Sequence, residues 1–212
     1  MSRLTRLIRK KVQMIEVSAA MKTLSRIFYE GDPATVARGL IGKLLVRRLA
    51  SQILIGKIVE DEAYYGEDDP ASKAYKGRRT FNEPMFQEAG KTFIYMVHGN
   101  WLLNIVAHPK GDAGAVLIRA LEPLEGIEIM KRHRRRDDLY ALTSGPGKLT
   151  QALAITKELS GVDVTDVKGG LFIVEGDTVD FEVCASHRIG VKLDLPQELR
   201  FYMRGSRFVS KL

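Results

Sequence analysis

The apolar positions of this chain fall mainly into runs of strand length, broken by turn-forming residues, with fewer stretches that carry a helix signal. Asp32-Pro33 opens a helix through Ala34 to Leu44, with Asp as N-cap and Pro at the first helical position. Strands are expected at Leu45–Leu49 and Ile53–Glu60. Residues 65 to 91, rich in Gly, Pro, Asp, Lys and Arg, read as a long loop, and a loop of that length inside a compact domain is usually functional. Next comes FIYMVHGNWLLNIV, residues 93 to 106, two apolar strands folded around a short polar tip. A strand at Ala115–Ala120 leads into a helix over Leu124–Arg134, and a second helix, Lys148–Leu159, closes with Ser160-Gly161. Leu171–Val174 and Val179–Cys184 flank Gly176-Asp177 and read as a hairpin. Strands outnumber helices and several are joined by hairpins. The pattern predicts one α+β domain with a largely antiparallel sheet.

Composition narrows the class. At 212 residues, with 45% hydrophobic and 28% charged content, the chain suits one globular domain. Lys and Arg outnumber Asp and Glu by 33 to 26, a net charge of +7 that favours a polyanionic partner such as nucleic acid. The single cysteine excludes an internal disulfide and any multi-cysteine zinc site, which suggests a reducing compartment. The histidines, His98, His108, His133 and His187, lack metal-ligand spacing, and no apolar run approaches membrane-spanning length. The first 22 residues read apart from the rest: Arg3, Arg6, Arg9, Lys10 and Lys11 precede the first acid, Glu16. They suit a mobile basic tail, a transit-like segment, a nucleic-acid arm, or an extension upstream of a start at Met21. The domain proper is placed at residues 23–212.

Candidate chemistry lies in two places. Taking Gly99-Asn100 as a two-residue type II′ turn sets Tyr95 opposite Asn104 and His98 opposite Trp101. Strand alternation then puts Tyr95 and Asn104 on one face with Phe93, Val97 and Leu102, and His98 and Trp101 on the other at the tip. A tyrosine beside an amide can stack on a flat ring and read its edge, and an aromatic or imidazole tip can wedge between base pairs. For the hairpin alone, ordinary sheet packing, with Trp101 covering a core edge, is the simpler explanation. Upstream, Glu60, Asp61 and Glu62 end a strand, where acids are usually solvated. A partly buried carboxylate there, with its pKa raised from the usual ~4.3, would instead suit a general base. Ser144–Leu149 ends like a phosphate loop but has Leu142 in place of the first Gly and Leu149 in place of Ser or Thr. It is no triphosphate loop, though Lys148 and the helix amides could hold a single phosphate.

Several stretches together resemble one family. IVEDEAYYG (58–66), DPASKAY (69–75), ALEPLEG (120–126), SGPGKLTQALAI (144–155) and LRFYMRGS (199–206) occur in the order found in alkyladenine, or methylpurine, DNA glycosylases. The resemblance spans about Arg26 to Ser210. It implies a single mixed α/β domain with a curved antiparallel sheet, like the C-terminal domain of formyltransferases, from which a β-hairpin projects into the DNA minor groove. It implies monofunctional hydrolysis of the N-glycosidic bond of alkylated or deaminated purines, flipped out of duplex DNA. No metal or organic cofactor is expected, nor a membrane; the partner is damaged double-stranded DNA, the state a monomer, the location cytoplasm and nucleoid, or a nucleus.

By position, Glu62 matches the family's general base, Arg119 an arginine that helps hold the attacking water, and the main-chain oxygen of Met203 a third contact. Tyr64 and Tyr95 match the aromatics that sandwich the base, and Asn104 the amide that disfavours guanine. The family's wedge tyrosine falls on His98 in a turn one residue shorter, so Trp101 could share that work. Lys73 replaces the family's stacking histidine, and a cation there would repel a cationic lesion, tilting preference toward hypoxanthine or ethenoadenine. Lys76, Arg78, Arg79, Lys148, Arg204 and Arg207 are expected to hold phosphates. The run Lys131–Arg136 is set aside as a solvated helix end. The alternative is a non-catalytic DNA- or RNA-binding module, or an RNA-processing protein, on the same scaffold.

Overall fold

The computed structural model describes residues 22–176 and 180–211, so the basic segment, but for Lys22, lies outside the described residues. One antiparallel sheet organises them. Its strands are β1 (Leu44–Leu49), β2 (Gln52–Tyr64), β3 (Thr92–Val97), β4 (Asn100–Val106), β5 (Ala115–Glu125), β6 (Leu171–Val174), β7 (Val183–Ser186) and β8 (Arg200–Met203). The spatial order is β3-β4-β5-β2-β1-β6, with β8 paired to β2 and β7 to β8. The helices are α1 (Arg26–Tyr29), α2 (Pro33–Leu40), α3 (Ile127–Arg134) and α4 (Pro146–Ala152). α2 packs on β2, and α4 on β4 and β5, so the helices share one face. Between them and the sheet lies the main core, which includes Leu40, Ile58, Ala63, Leu103, Ile105, Ile118, Leu149 and Phe201.

The opposite face carries a smaller apolar cluster: Ala74 and Met85 from the long loop against Phe93, Val106 and Ala115 from the sheet. The loop has the expected character, with a single 3-10 turn at Glu83–Phe86. It is held from within by Asn82, which is fully buried. The Asn82 amide donates to the carbonyls of Lys73 (2.7 Å) and Gly77 (3.0 Å).

Several expected boundaries move, each for a tertiary reason. The first helix has its Asp32 cap, accepting from the Thr35 N–H at 2.9 Å, but ends at Leu40. β2 does not stop at Glu60; it runs to Tyr64, because β5 and β8 occupy both its edges over Glu60–Glu62. β5 likewise runs on to Glu125 through Pro123, which a ladder tolerates at the register shift found there. That leaves the next helix to start at Ile127 rather than Leu124. The helix expected over Lys148–Leu159 starts at Pro146 and ends at Ala152; Ala154 turns to φ +50, which lets Leu153 and Ile155 both enter the core.

The hairpin expected around Gly176-Asp177 falls partly outside the described residues, and the described strands on either side of it do not pair with each other. β6 pairs with β1, and β7 with β8; Asp177 and Val179 lie outside the described residues. Gly176 serves a close approach instead: a Cβ there would stand 1.9 Å from the Gly42 carbonyl oxygen.

The β3–β4 hairpin also differs in its turn. His98 and Gly99, both at positive φ, form the turn, so Val97 pairs with Asn100, Met96 with Trp101 and Tyr95 with Leu102. Positive φ at both central positions is the type I′ geometry, which matches strand twist better than the expected type II′ at Gly99-Asn100. Tyr95 and Asn104 are therefore diagonal neighbours rather than direct partners, since Asn104 pairs with Phe93. They still share a face, because each strand alternates with period two.

Candidate active site

β-sheet register brings the chemistry together. Asn104 on β4 pairs with Leu117 on β5, Leu117 with Glu62 on β2, and Glu62 with Arg200 on β8. Directly paired residues point the same way. One row of side chains therefore crosses four strands on the loop-covered face. Tyr64 and Tyr95 join it two residues along their strands. Arg119 is the extra residue of a β-bulge opposite Glu60 and Asp61, and a bulge of this kind re-aims a side chain.

Glu62 is fully buried. Its Oε1 accepts the Ile189 N–H at 2.7 Å. Its Oε2 accepts the Tyr64 hydroxyl at 2.8 Å and lies 3.1 Å from Arg119 Nη1. Burial pushes its pKa up; Arg119, the Ile189 amide and the Tyr64 hydroxyl pull against that without cancelling it. Oε1 keeps a lone pair for one more donor. A carboxylate with a raised pKa, held in place and able to accept one more proton, is suited to deprotonate water. Burial also raises the Tyr64 hydroxyl, with the Glu62 charge adding to it, so Tyr64 stays a donor. Tyr95 is pushed up to about 12, chiefly by burial and then by Glu62.

Glu60 is buried on the same side. Its Oε1 accepts from Arg119 Nε (2.8 Å), Arg200 Nε (2.9 Å) and Ser210 Oγ (2.7 Å), and its Oε2 from the Ser210 N–H. Burial alone would raise this carboxyl; the Ser210 bonds, Arg119 and Arg200 together hold it below its ordinary value. The three acids expected to be solvated at a strand end are thus all fully buried.

Sequence reasoning overlooked Arg188 and Ile189. The Arg188 side chain is fully buried. It donates to both Asp69 oxygens (2.6 and 2.7 Å), to Asp194 (2.8 and 2.6 Å) and to the Ala63 carbonyl (3.0 Å). Its guanidinium stacks 4.5 Å over the Tyr64 ring. One arginine therefore ties the long loop, the 187–195 segment and the site tyrosine together. Nothing in the linear pattern signalled it, because the burial of its partner Asp69 arises only in the fold.

The remaining expected residues are more scattered. Lys73 is exposed, with Nζ 5.1 Å over the Tyr95 ring. Asn104 is buried, its amide donating to the Phe93 carbonyl at 3.1 Å. The Met203 carbonyl accepts the Ser206 N–H at 3.3 Å in the turn after β8. His98 is exposed in the hairpin turn. Trp101 is not at the tip: it lies half-buried against the main core on the helix-bearing side, and its carbonyl accepts from Thr150 Oγ1 at 2.8 Å. Lys148 stands on α4 beside the hairpin, where Gln151 donates to Asn100 at 2.8 Å. Arg78 pairs with Glu83, Arg204 with Glu182, and Arg207 stacks on Tyr140; Lys76 and Arg79 are exposed. A cleft of about 670 Å³ lies off this row, lined by Asp32, Tyr65, Glu67, Asp68 and Asp112 among others. Its acidic wall suits no polyanion, and neither Glu62 nor Tyr95 reaches it.

Residues 27–207 match the methylpurine-DNA glycosylase family. The chain belongs to that family. A relative from Carboxydothermus hydrogenoformans is 43% identical over 190 residues, covering 89% of this chain and 98% of its own. One from Koribacter versatilis is 40% identical over 196 residues (91% and 95%). One from Aeropyrum pernix is 40% identical over 192 residues (90% and 94%). All three are assigned by name to 3-methyladenine DNA glycosylase. The chain is accordingly a DNA glycosylase, a hydrolase of DNA repair, and its substrate is DNA. No described helix is long and apolar enough to cross a membrane.

Proposed function

We propose that this glycosylase takes a damaged purine nucleotide, flipped out of duplex DNA, onto the face that carries Glu62, Tyr64, Tyr95 and Asn104. Glu62 is the general base: it draws a proton from water as that water attacks C1′ and the purine leaves. Arg119 and the Met203 carbonyl help hold the water. Tyr64 and Tyr95 flank the base, and Asn104 disfavours guanine. What carries this reading is the burial of Glu62 between Arg119 and Tyr64, in one cross-strand row with Asn104. A protein that only bound DNA would have no use for a buried carboxylate facing a polyanion.

His98 is the wedge that fills the gap left by the flipped nucleotide; Trp101 braces the hairpin from behind instead of sharing that work. Lys76, Arg78, Arg79, Lys148, Arg204 and Arg207 hold phosphates, and residues 23–212 are the catalytic domain. Lys73, poised over Tyr95, sets lesion preference: its charge opposes a cationic alkylated base, so hypoxanthine and ethenoadenine leave faster than 7-methylguanine. Faster release of 7-methylguanine under the same conditions overturns that preference.

The deciding experiment is single-turnover release of hypoxanthine from a duplex oligonucleotide by wild type and by Glu62→Gln. A positioned base contributes roughly 10²–10⁴ in rate, so the variant should bind the duplex and cut slower by about that factor. Equal rates would remove Glu62 from the chemistry. No release of hypoxanthine, ethenoadenine or methylated purines by wild type would leave only a DNA-binding role.

A further inference from the structure

We propose that Glu60 and Ser210 are positioning residues for the hydrolytic site, fixing Arg119 so that its Nη1 stands against the Glu62 carboxylate. The proposal rests on the reading of Glu62 as the base.

A guanidinium is planar, and its donors project in fixed directions. On Arg119, Nε donates to Glu60 Oε1 at 2.8 Å, Nη2 donates to Ser210 Oγ at 3.3 Å, and Nη1 lies 3.1 Å from Glu62 Oε2. With Nε and Nη2 both tied, the plane cannot rotate without breaking a buried bond. Ser210 closes the arrangement. Its hydroxyl accepts from Arg119 and donates to Glu60 at 2.7 Å, while its backbone N–H donates to the other Glu60 oxygen. Arg200 flanks Glu60 from the far side, its Nε 2.9 Å from the same oxygen and its Nη2 donating to the Lys211 carbonyl. The charges thus alternate along Arg200, Glu60, Arg119 and Glu62. The segment after β8 returns to complete an arginine whose partner is the base.

This arrangement also divides the charge of Arg119. The charged and titratable groups around Glu62 are Arg119, Tyr64, Tyr95 and Glu60 on its own face, Asp61 behind it, Arg200 paired with it on β8, and Arg188 stacked on the Tyr64 ring. Of these cations Arg119 is the one within ion-pair distance of Glu62, and it serves two carboxylates. Removing the Glu60 charge leaves Arg119 to Glu62 undivided. That holds the Glu62 carboxyl lower and makes it a weaker base.

Three variants test this on the duplex lesion that wild type cuts fastest, with Glu62→Gln as control. Ser210→Ala keeps every charge and loosens the guanidinium. It should slow single-turnover release about tenfold, with duplex affinity and the acid limb of the pH–rate profile unmoved, since misplacement by about 1 Å can cost ~10²-fold. Glu60→Gln should slow release further and move the acid limb to lower pH. Glu60→Asp, which restores the charge, should return the limb toward the wild-type position. A network that only stabilises the fold would lower the melting temperature of all three and leave rate and acid limb as in wild type; that result overturns the proposal. Wild type that releases no base, or Glu62→Gln that cuts at the wild-type rate, sinks the reading of Glu62, and this proposal with it.

Discussion

Glu60, Asp61 and Glu62 are consecutive on one strand and equally buried, yet they meet opposite environments. The even positions face the loop-covered side, where Arg119, Arg200, Ser210, Tyr64 and the Ile189 amide supply donors. Asp61 faces the helix-bearing side, paired in register with Ile118 and Phe201, and neither of its oxygens has a hydrogen-bond partner among the described residues. Burial, with the Glu60 and Glu62 charges adding to it, holds the Asp61 carboxyl well above the ordinary carboxylate range. One side of β2 is a satisfied charge network, the other a carboxylic acid stranded in an apolar core. Burial by itself therefore says nothing about use. What separates a candidate base from a liability is whether partners hold it in a chosen geometry.

The comparison can be strained most at Arg188, the anchor of the satisfied side. Arg188→Met strands Asp69, whose carboxylate is fully buried. Breaking a buried pair by removing one partner costs about 3–5 kcal/mol, so urea denaturation should show a loss of that size. A loss below about 1 kcal/mol, the scale of exposed pairs, would mean the network is less closed than its geometry indicates.

Asp61→Val tests the other side with opposite sign. A buried, unsatisfied polar group costs about 1–3 kcal/mol, and valine suits a central strand, so the variant should be more stable by roughly that amount. The gain should depend on pH. Because the folded pKa is raised, the unfolded chain releases the Asp61 proton above roughly pH 4 while the folded chain keeps it, so wild-type stability falls as pH rises through that window. The valine variant lacks that slope, and its advantage should be greater at pH 8 than at pH 5. Release rates should stay near wild type, since Asp61 faces away from the site. An equal gain at both pH values would show that Asp61 has found a partner.

The smallest effect is expected at the surface. Lys148→Ala beside the hairpin should weaken duplex binding uniformly across sequences and reduce the slope of log affinity against log salt by about 1. A change confined to one sequence would point to base contact instead.

Much of the site was legible in the linear pattern. The family resemblance named Glu62, Tyr64, Tyr95, Asn104 and Arg119 as candidates, and strand alternation put Tyr95 and Asn104 on one face. The face survived even though the turn was misplaced by one residue. Moving the turn from Gly99-Asn100 to His98-Gly99 changes which residues pair, but keeps the parity of each strand. The burial of Glu60–Glu62 was not legible. It arises because β8, some 140 residues later, pairs with β2 beside β5 and closes its second edge. Arg188, Ile189 and Ser210 were likewise invisible, since each acts through a contact more than 100 residues distant in sequence.

By itself, then, the sequence determined the strand-rich character of the domain, its family and the residue types of the candidate site, because period, motif order and residue type are local properties. Only the tertiary structure decided which acids are satisfied, where β2 ends, that Trp101 braces the core, and which arginine serves which carboxylate. Those depend on which strand edges meet and on what a buried charge finds within hydrogen-bond reach, and neither is written in any single stretch of the chain.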